Sequence, residues 1–160
     1  MTIKVGDRLP SVRLKHMTAN GPAEIGSDEL AKGRTLVLFA LPGAFTPTCS
    51  ARHLPGFLAQ HEALKAKGVD TIACLSVNDA FVMGAWGKDQ GVGDRILMLA
   101  DGSAAFTRAV GLDQDLTANG MGVRSRRYAM VVTDGVVTHL AVEPAPGLEV
   151  SSAESVLKAL

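Results

Sequence analysis

Residues 34–49 read Arg34-Thr35-Leu36-Val37-Leu38-Phe39-Ala40-Leu41-Pro42-Gly43-Ala44-Phe45-Thr46-Pro47-Thr48-Cys49. The first half, Arg34 to Leu41, is a continuous apolar run rich in strand formers. A run without polar alternation fits a strand covered on both faces. Pro42-Gly43 ends it. Thr46-Pro47 then carries the signature of a helix start, with Thr46 as N-cap and Pro47 at the first helical position. The predicted helix runs to about Lys67 and stops at Gly68. Pro55 inside it has no N–H for the carbonyl of Ala51, which predicts a kink.

Working outward, Val69 to Val77 reads as a second buried strand. Two strands around one helix make a βαβ unit, hence a parallel pair with a right-handed crossover. Asn78 or Asp79 caps a helix over about 80–90. A short strand follows at Ile96 to Ala100, then a short helix from Ala104 to Val110. Residues 112 to 125, with Asn119-Gly120-Met121-Gly122, read as loop. Arg127 to Thr133 and Val136 to Val142 flank Asp134-Gly135, a strong hairpin signal. Ser151 or Ser152 caps a last helix to Leu160. The order βαβ, insertion (78–125), ββα is a thioredoxin-like α/β arrangement within one domain, residues 1–160. The N-terminal 30 residues form an added edge, with Pro10 to Leu14 as a strand and Ser27 capping a short helix.

The 160 residues balance 16 Lys+Arg against 16 Asp+Glu. A zero net charge argues against nucleic-acid binding, and 4% aromatics are too few for a base-stacking platform. The longest apolar run, Leu36 to Leu41, is far short of the roughly 20 residues of a membrane span. Two cysteines make no disulfide scaffold. The start, Met1 to Asp7, has no apolar signal region. These features predict a cytoplasmic protein with reduced thiols.

Cys49 then has to be read as chemistry. With Thr46 as N-cap it falls at the third helical position, where a capping box carries Glu or Gln. A thiolate can stand there, facing free N–H groups and the positive end of the helix dipole. A free thiol of pKa about 8.5 is only about 3% ionised at pH 7. Bringing it to about 6 takes about 3.4 kcal/mol. A helix end supplies at most about 2 kcal/mol, so a nearby cation is required. Arg52, His53, Arg124, Arg126 and Arg127 are the candidates.

Other residues read more plainly. Cys74, inside the apolar strand Thr71-Ile72-Ala73-Cys74-Leu75, fits core filler better than chemistry. His53 fits a pocket-lining or hydrogen-bonded histidine better than an essential base. Arg124 and Arg126 alternate on one strand face and read as solvated. His16, His61 and His139 show no metal-ligand spacing, and no metal is expected. Cys49-Ser50-Ala51-Arg52 is not C-x-x-C, which disfavours a thioredoxin-type disulfide exchanger. Pro55 stands where a cysteine-phosphatase loop needs arginine, and no Walker or Rossmann glycine pattern occurs.

The run Leu41 to Cys49 resembles the P-x-x-x-T-x-x-C signature of peroxiredoxins. Its continuation, Ser50-Ala51-Arg52-His53-Leu54-Pro55-Gly56-Phe57, resembles the peroxiredoxin-five or plant type II branch of these AhpC/TSA-like redoxins. Ala73 to Val82 and Arg124 to Val132 match as well, so the likeness covers nearly the whole chain. It implies reduction of hydrogen peroxide and alkyl hydroperoxides through a Cys49 sulfenic acid. Carried over by position, Cys49 is the peroxidatic cysteine, Thr46 bonds the peroxide, Arg127 holds thiolate and peroxide together, and Pro42 shields the thiolate. Gly43, Phe45, Thr48 and His53 would border the substrate pocket. No metal or organic cofactor is implied. An external thiol, glutathione with glutaredoxin or else thioredoxin, supplies the electrons.

One departure matters. Some relatives carry a resolving cysteine about where Leu148-Glu149-Val150-Ser151 stands. Here the sulfenic acid is resolved by an outside thiol, or by Cys74 in a thioredoxin-reduced enzyme. A redox-regulated binding or chaperone protein on the same fold, or an inactive homologue serving as an assembly subunit, stays open. The 47% apolar fraction, high for a small monomer, predicts a homodimer, and the resemblance implies contacts from the loops around the active site, near Phe45 and residues 78–82.

Overall fold

The computed structural model describes residues 2–160, and Met1 lies outside them. The chain opens with the hairpin β1 (Arg13–Thr18) and β2 (Gly21–Gly26), then α1 (Ser27–Ala31) and β3 (Thr35–Ala40). A π-helical turn (Cys49–His53) leads into α2 (Leu54–Ala59) and α3 (His61–Ala66), followed by β4 (Thr71–Ser76), α4 (Ala80–Asp89) and β5 (Leu97–Ala100). The rest is α5 (Ala105–Ala109), β6 (Asp113–Leu116), a 3₁₀ turn (Thr117–Asn119), β7 (Gly122–Ser125), β8 (Tyr128–Thr133), β9 (Val136–Val142) and α6 (Ala153–Ala159).

Seven strands form one sheet in the order β2-β1-β5-β4-β3-β8-β9. β3, β4 and β5 run parallel, and β8 lies antiparallel against β3. This is the predicted thioredoxin-like arrangement. The apolar run makes β3 the middle of the core. Val37, Phe39 and Leu41 enter one cluster with Cys49, Phe57 and Trp86, while Leu36, Leu38 and Ala40 enter the other with Phe106 and Tyr128. Alternation along one strand thus feeds both layers. Phe39 stacks on Phe57 at 4.0 Å and 4°, which locks α2 onto the sheet. In the β8–β9 hairpin Asp134 and Gly135 both take positive φ, 47° and 85°, as a tight twist-matched turn requires.

Four expectations need correction. The helix predicted over 47–67 is not continuous. Leu54 N–H bonds the Cys49 carbonyl, five residues back, and Gln60 separates α2 from α3. Since Pro55 cannot donate to Ala51, the chain widens the turn before it instead of merely bending. The segment 112–125, read as loop, holds the β6–β7 ribbon; β6 is mostly polar and alternates exposed with half-buried, and β7 is four residues opening on a glycine, so no apolar run marks either strand. The N-terminal strand lies at Arg13–Thr18 rather than 10–14, paired with β2. Ser27 does not cap α1. Its hydroxyl donates to the Pro10 carbonyl and accepts from Val12 N–H.

Candidate active site

At the end of β3 the chain leaves the sheet through Pro42 and turns back at once. Gly43 packs so tightly there that a Cβ would come within 2.6 Å of Arg124 Nη1. Ala44 N–H donates to Asn78 Oδ1 at 2.9 Å, tying the loop to the end of β4. Phe45 sits in the left-handed region at φ 64°. Backbone of this kind is strained for a non-glycine residue and persists where its surroundings over-determine it. The Thr46 hydroxyl donates to the Gly43 carbonyl at 2.7 Å. Thr46 therefore does not cap the helix through its side chain, although helical backbone does begin at Pro47 and places Cys49 at the third position. Asp79, not Asn78, caps α4, accepting from Val82 N–H at 2.8 Å.

Cys49 is fully buried. Arg127, between β7 and β8, donates from Nη2 to the Cys49 sulfur at 3.1 Å. Its Nη1 lies 2.8 Å from His53 Nδ1. His53 Nε2 lies 2.9 Å from the Ser151 carbonyl, which can only accept. Nε2 therefore carries the proton, and the Nδ1 lone pair receives the Arg127 donor. Burial, then the adjacent Arg127 charge, pushes the His53 pKa down to about 3. His53 is thus a neutral acceptor at working pH and does not titrate as a base.

The other candidate arginines make no hydrogen bond to the Cys49 sulfur. Arg124 is half-buried rather than solvated as expected. It donates to the Pro42 carbonyl at 3.1 Å and to the Met121 carbonyl at 2.9 Å, clamping the loop over Cys49. Arg126 is exposed, and Arg52 makes only a long 3.4 Å contact to the Leu148 carbonyl. Cys74 is fully buried in β4, opposite Phe39, and unpaired. Burial pushes its thiol well up, and negative charge on Cys49 adds to this.

A groove of about 490 Å³ opens beside Cys49. Pro42, Thr48 and Arg127 line it, together with Leu116, Arg126, Glu143 and Pro144. Of the predicted pocket residues only Thr48 lines this groove, next to Pro42, the predicted shield of the thiolate. Gly43 packs under Arg124, Phe45 turns outward near Trp86, and His53 lies behind Arg127. A larger cavity of about 700 Å³, lined by Met17, Gly84 and Met98, touches none of these groups. Among the described residues no cluster of His, Cys, Asp or Glu is placed to hold a metal ion, and no helix is long and apolar enough to cross a membrane.

Sequence reasoning missed Glu143. It follows β9, is buried, and accepts four hydrogen bonds at Oε2 from Glu149 N–H, Val150 N–H, Ser151 N–H and the Ser151 hydroxyl. Burial opposes its ionisation, but these donors, Ser151 first, hold the carboxyl below its usual value. The available signal was a lone Glu before the rigid Pro144-Ala145-Pro146-Gly147 turn.

Residues 4–157 match the Redoxin family. The chain is 53% identical to peroxiredoxin-2E-2, chloroplastic, of Oryza sativa subsp. japonica, across 99% of this chain and 73% of that protein. It is 47% identical to peroxiredoxin-2B of Arabidopsis thaliana, across 99% and 98%. Among solved structures, reduced Prx3 of Vibrio vulnificus in complex with hydrogen peroxide superimposes with a TM-score of 0.95 at 53% identity, covering 99% of each chain.

Proposed function

The chain belongs to the redoxin family as a peroxiredoxin, a thiol-dependent peroxidase, and we propose that Cys49 is its peroxidatic thiol and glutathione, with glutaredoxin, its reductant. The observation that carries the site reading is the 3.1 Å contact from Arg127 Nη2 to Cys49 Sγ. The cationic guanidinium thus touches the sulfur directly, and the imidazole behind it is neutral and forms no ion pair with it.

The thiolate attacks the terminal oxygen of the peroxide along the O–O axis. An S–O bond forms and the O–O bond breaks. Cys49 becomes the sulfenic acid, and the leaving oxygen takes a proton from solvent as water or alcohol. Arg127 donors stabilise the charge moving onto the oxygens. The Thr46 hydroxyl already donates to Gly43, so it presents lone pairs and accepts from the peroxide O–H. Pro42 and the Arg124 clamp keep bulk water off the sulfur. Glutathione thiol then displaces water from the sulfenic acid to give a mixed disulfide, and a second thiol releases the Cys49 thiol. No metal or organic cofactor enters this cycle.

Two features support an external thiol. Residues 143–152 hold no cysteine, and Cys74 is buried with its thiol pushed up. The free thiols also suit a reducing compartment such as the cytoplasm. Exposed Phe45 and Phe81 support a homodimer. The test is peroxide consumption with glutathione plus glutaredoxin and with thioredoxin in turn. Turnover with glutaredoxin, abolished by Cys49→Ser, supports the proposal. Turnover with thioredoxin alone overturns the reductant, and a persistently active Cys49→Ser overturns the site.

A further inference from the structure

We propose that Glu143 is a positioning residue for the peroxide-reducing step, acting through Ser151 and His53 on the Arg127 guanidinium. The relay can be followed atom by atom. Glu143 N–H donates to the Arg127 carbonyl at 2.9 Å, so the end of β9 is in register with the start of β8. The Glu143 carboxylate then gathers the 149–151 backbone, with Ser151 N–H at 2.8 Å and the Ser151 hydroxyl at 2.6 Å. This fixes the direction of the Ser151 carbonyl. That carbonyl accepts from His53 Nε2–H at 2.9 Å and so sets the imidazole tautomer. The opposite nitrogen, Nδ1, holds Arg127 Nη1 at 2.8 Å, which leaves Nη2 for the Cys49 sulfur.

The placement of charge explains why the carboxylate stands two groups away. A carboxylate touching Arg127 would form an ion pair and weaken the cation's hold on the thiolate. A neutral imidazole orients the guanidinium and leaves its charge available to sulfur. Glu143 supplies rigidity at a distance, because a buried carboxylate with charge-assisted bonds to backbone N–H groups resists rearrangement.

The inference rests on Cys49 as the reacting thiol, and the experiment separates the two. Glu143→Gln keeps the shape and removes the charge. The second-order rate with hydrogen peroxide is expected to fall about tenfold, with less ultraviolet thiolate absorbance at neutral pH. In an Arg127→Lys background the same change is expected to cost less than about twofold, since the arm it positions is already gone. Should Glu143→Gln fold poorly, Ser151→Ala, which deletes one hydroxyl, goes through the same cycle with an expected fall of about threefold. His53→Gln, a neutral side chain with both a donor and an acceptor, is expected to keep more activity than His53→Leu. A folded Glu143→Gln at wild-type rate, or losses that simply multiply with Arg127→Lys, overturns the relay while Cys49→Ser remains inert. Activity in Cys49→Ser overturns the underlying site instead.

Discussion

The Arg127 guanidinium donates to the Cys49 sulfur through a single nitrogen, Nη2, at 3.1 Å, while its other terminal nitrogen is held by His53. The planar fork lets one side chain be anchored and active at once. An ammonium is a point charge on a flexible stem and cannot keep both contacts in one geometry.

Arg127→Lys is therefore expected to slow the reaction with hydrogen peroxide by about 10–100-fold although the charge is kept. It also leaves the His53 Nδ1 lone pair buried without a donor, at a cost of about 1–3 kcal/mol of stability. Stopped-flow oxidation and denaturant titration of the same variant measure both. A variant that oxidises at the wild-type rate would mean that the point charge suffices and the two-contact fork is dispensable.

His53 gives a pH signature in stability rather than in rate. Its folded-state pKa is depressed from 6.5 to about 3, by burial first and then by Arg127. Below pH 6.5 the unfolded chain takes up a proton that the folded chain refuses. Stability contributed by this group is thus full above about pH 6.5 and declines as pH falls towards 3, at no more than about 1.4 kcal/mol per pH unit. Urea midpoints measured over that window should fall less steeply in His53→Gln. Equal slopes for the two proteins would mean that His53 is not held neutral.

Much of this site was legible beforehand because local rules coincide there. The unbroken run Thr35 to Ala40 needs cover on both faces, Pro42-Gly43 ends it, and Thr46-Pro47 starts a helix, so Cys49 had one place to go. Asp134-Gly135 fixed the hairpin for the same reason. Long-range partners were not legible. Nothing around Arg124 tells that its guanidinium crosses to the Pro42 carbonyl, because that contact spans 82 positions. The π turn at Cys49–His53 was also hidden, since a proline announces a disturbance but not which register relieves it. The role of Glu143 was hidden as well, because it depends on the following loop folding back so that residues 149–151 reach its carboxylate.

Phe45 and Phe81 remain 53% and 67% exposed, and the Ala44–Asn78 hydrogen bond brings their segments together. Exposed aromatic side chains on two linked segments fit a contact surface. The protein is expected to sediment as a dimer at micromolar concentration, and Phe81→Asp to shift it to monomer with its fold intact. A wild-type protein that sediments only as monomer would remove the homodimer.

Cys49 stands on the helix that leaves the C-terminal end of β3, whereas Cys74 is paired inside the sheet opposite Phe39. Both are free and fully buried. For Cys74 to attack a sulfenic acid it must first lose its proton, and burial together with charge on Cys49 opposes that loss. A disulfide also needs Cα atoms within about 7 Å and converging Cβ vectors, whereas both thiols are free and packed in the same apolar cluster. An external thiol ionises in solution, so it escapes the penalty on Cys74, and the groove lined by Pro42 and Thr48 gives it a path towards the cysteine once the cover over the buried sulfur opens. Intact mass after one equivalent of peroxide is expected to show a gain of one oxygen, and then a glutathione adduct when glutathione is added. Cys74→Ser should give the same two species. A loss of two hydrogens with no adduct, abolished by Cys74→Ser, would make Cys74 the resolving thiol and overturn the one-cysteine cycle.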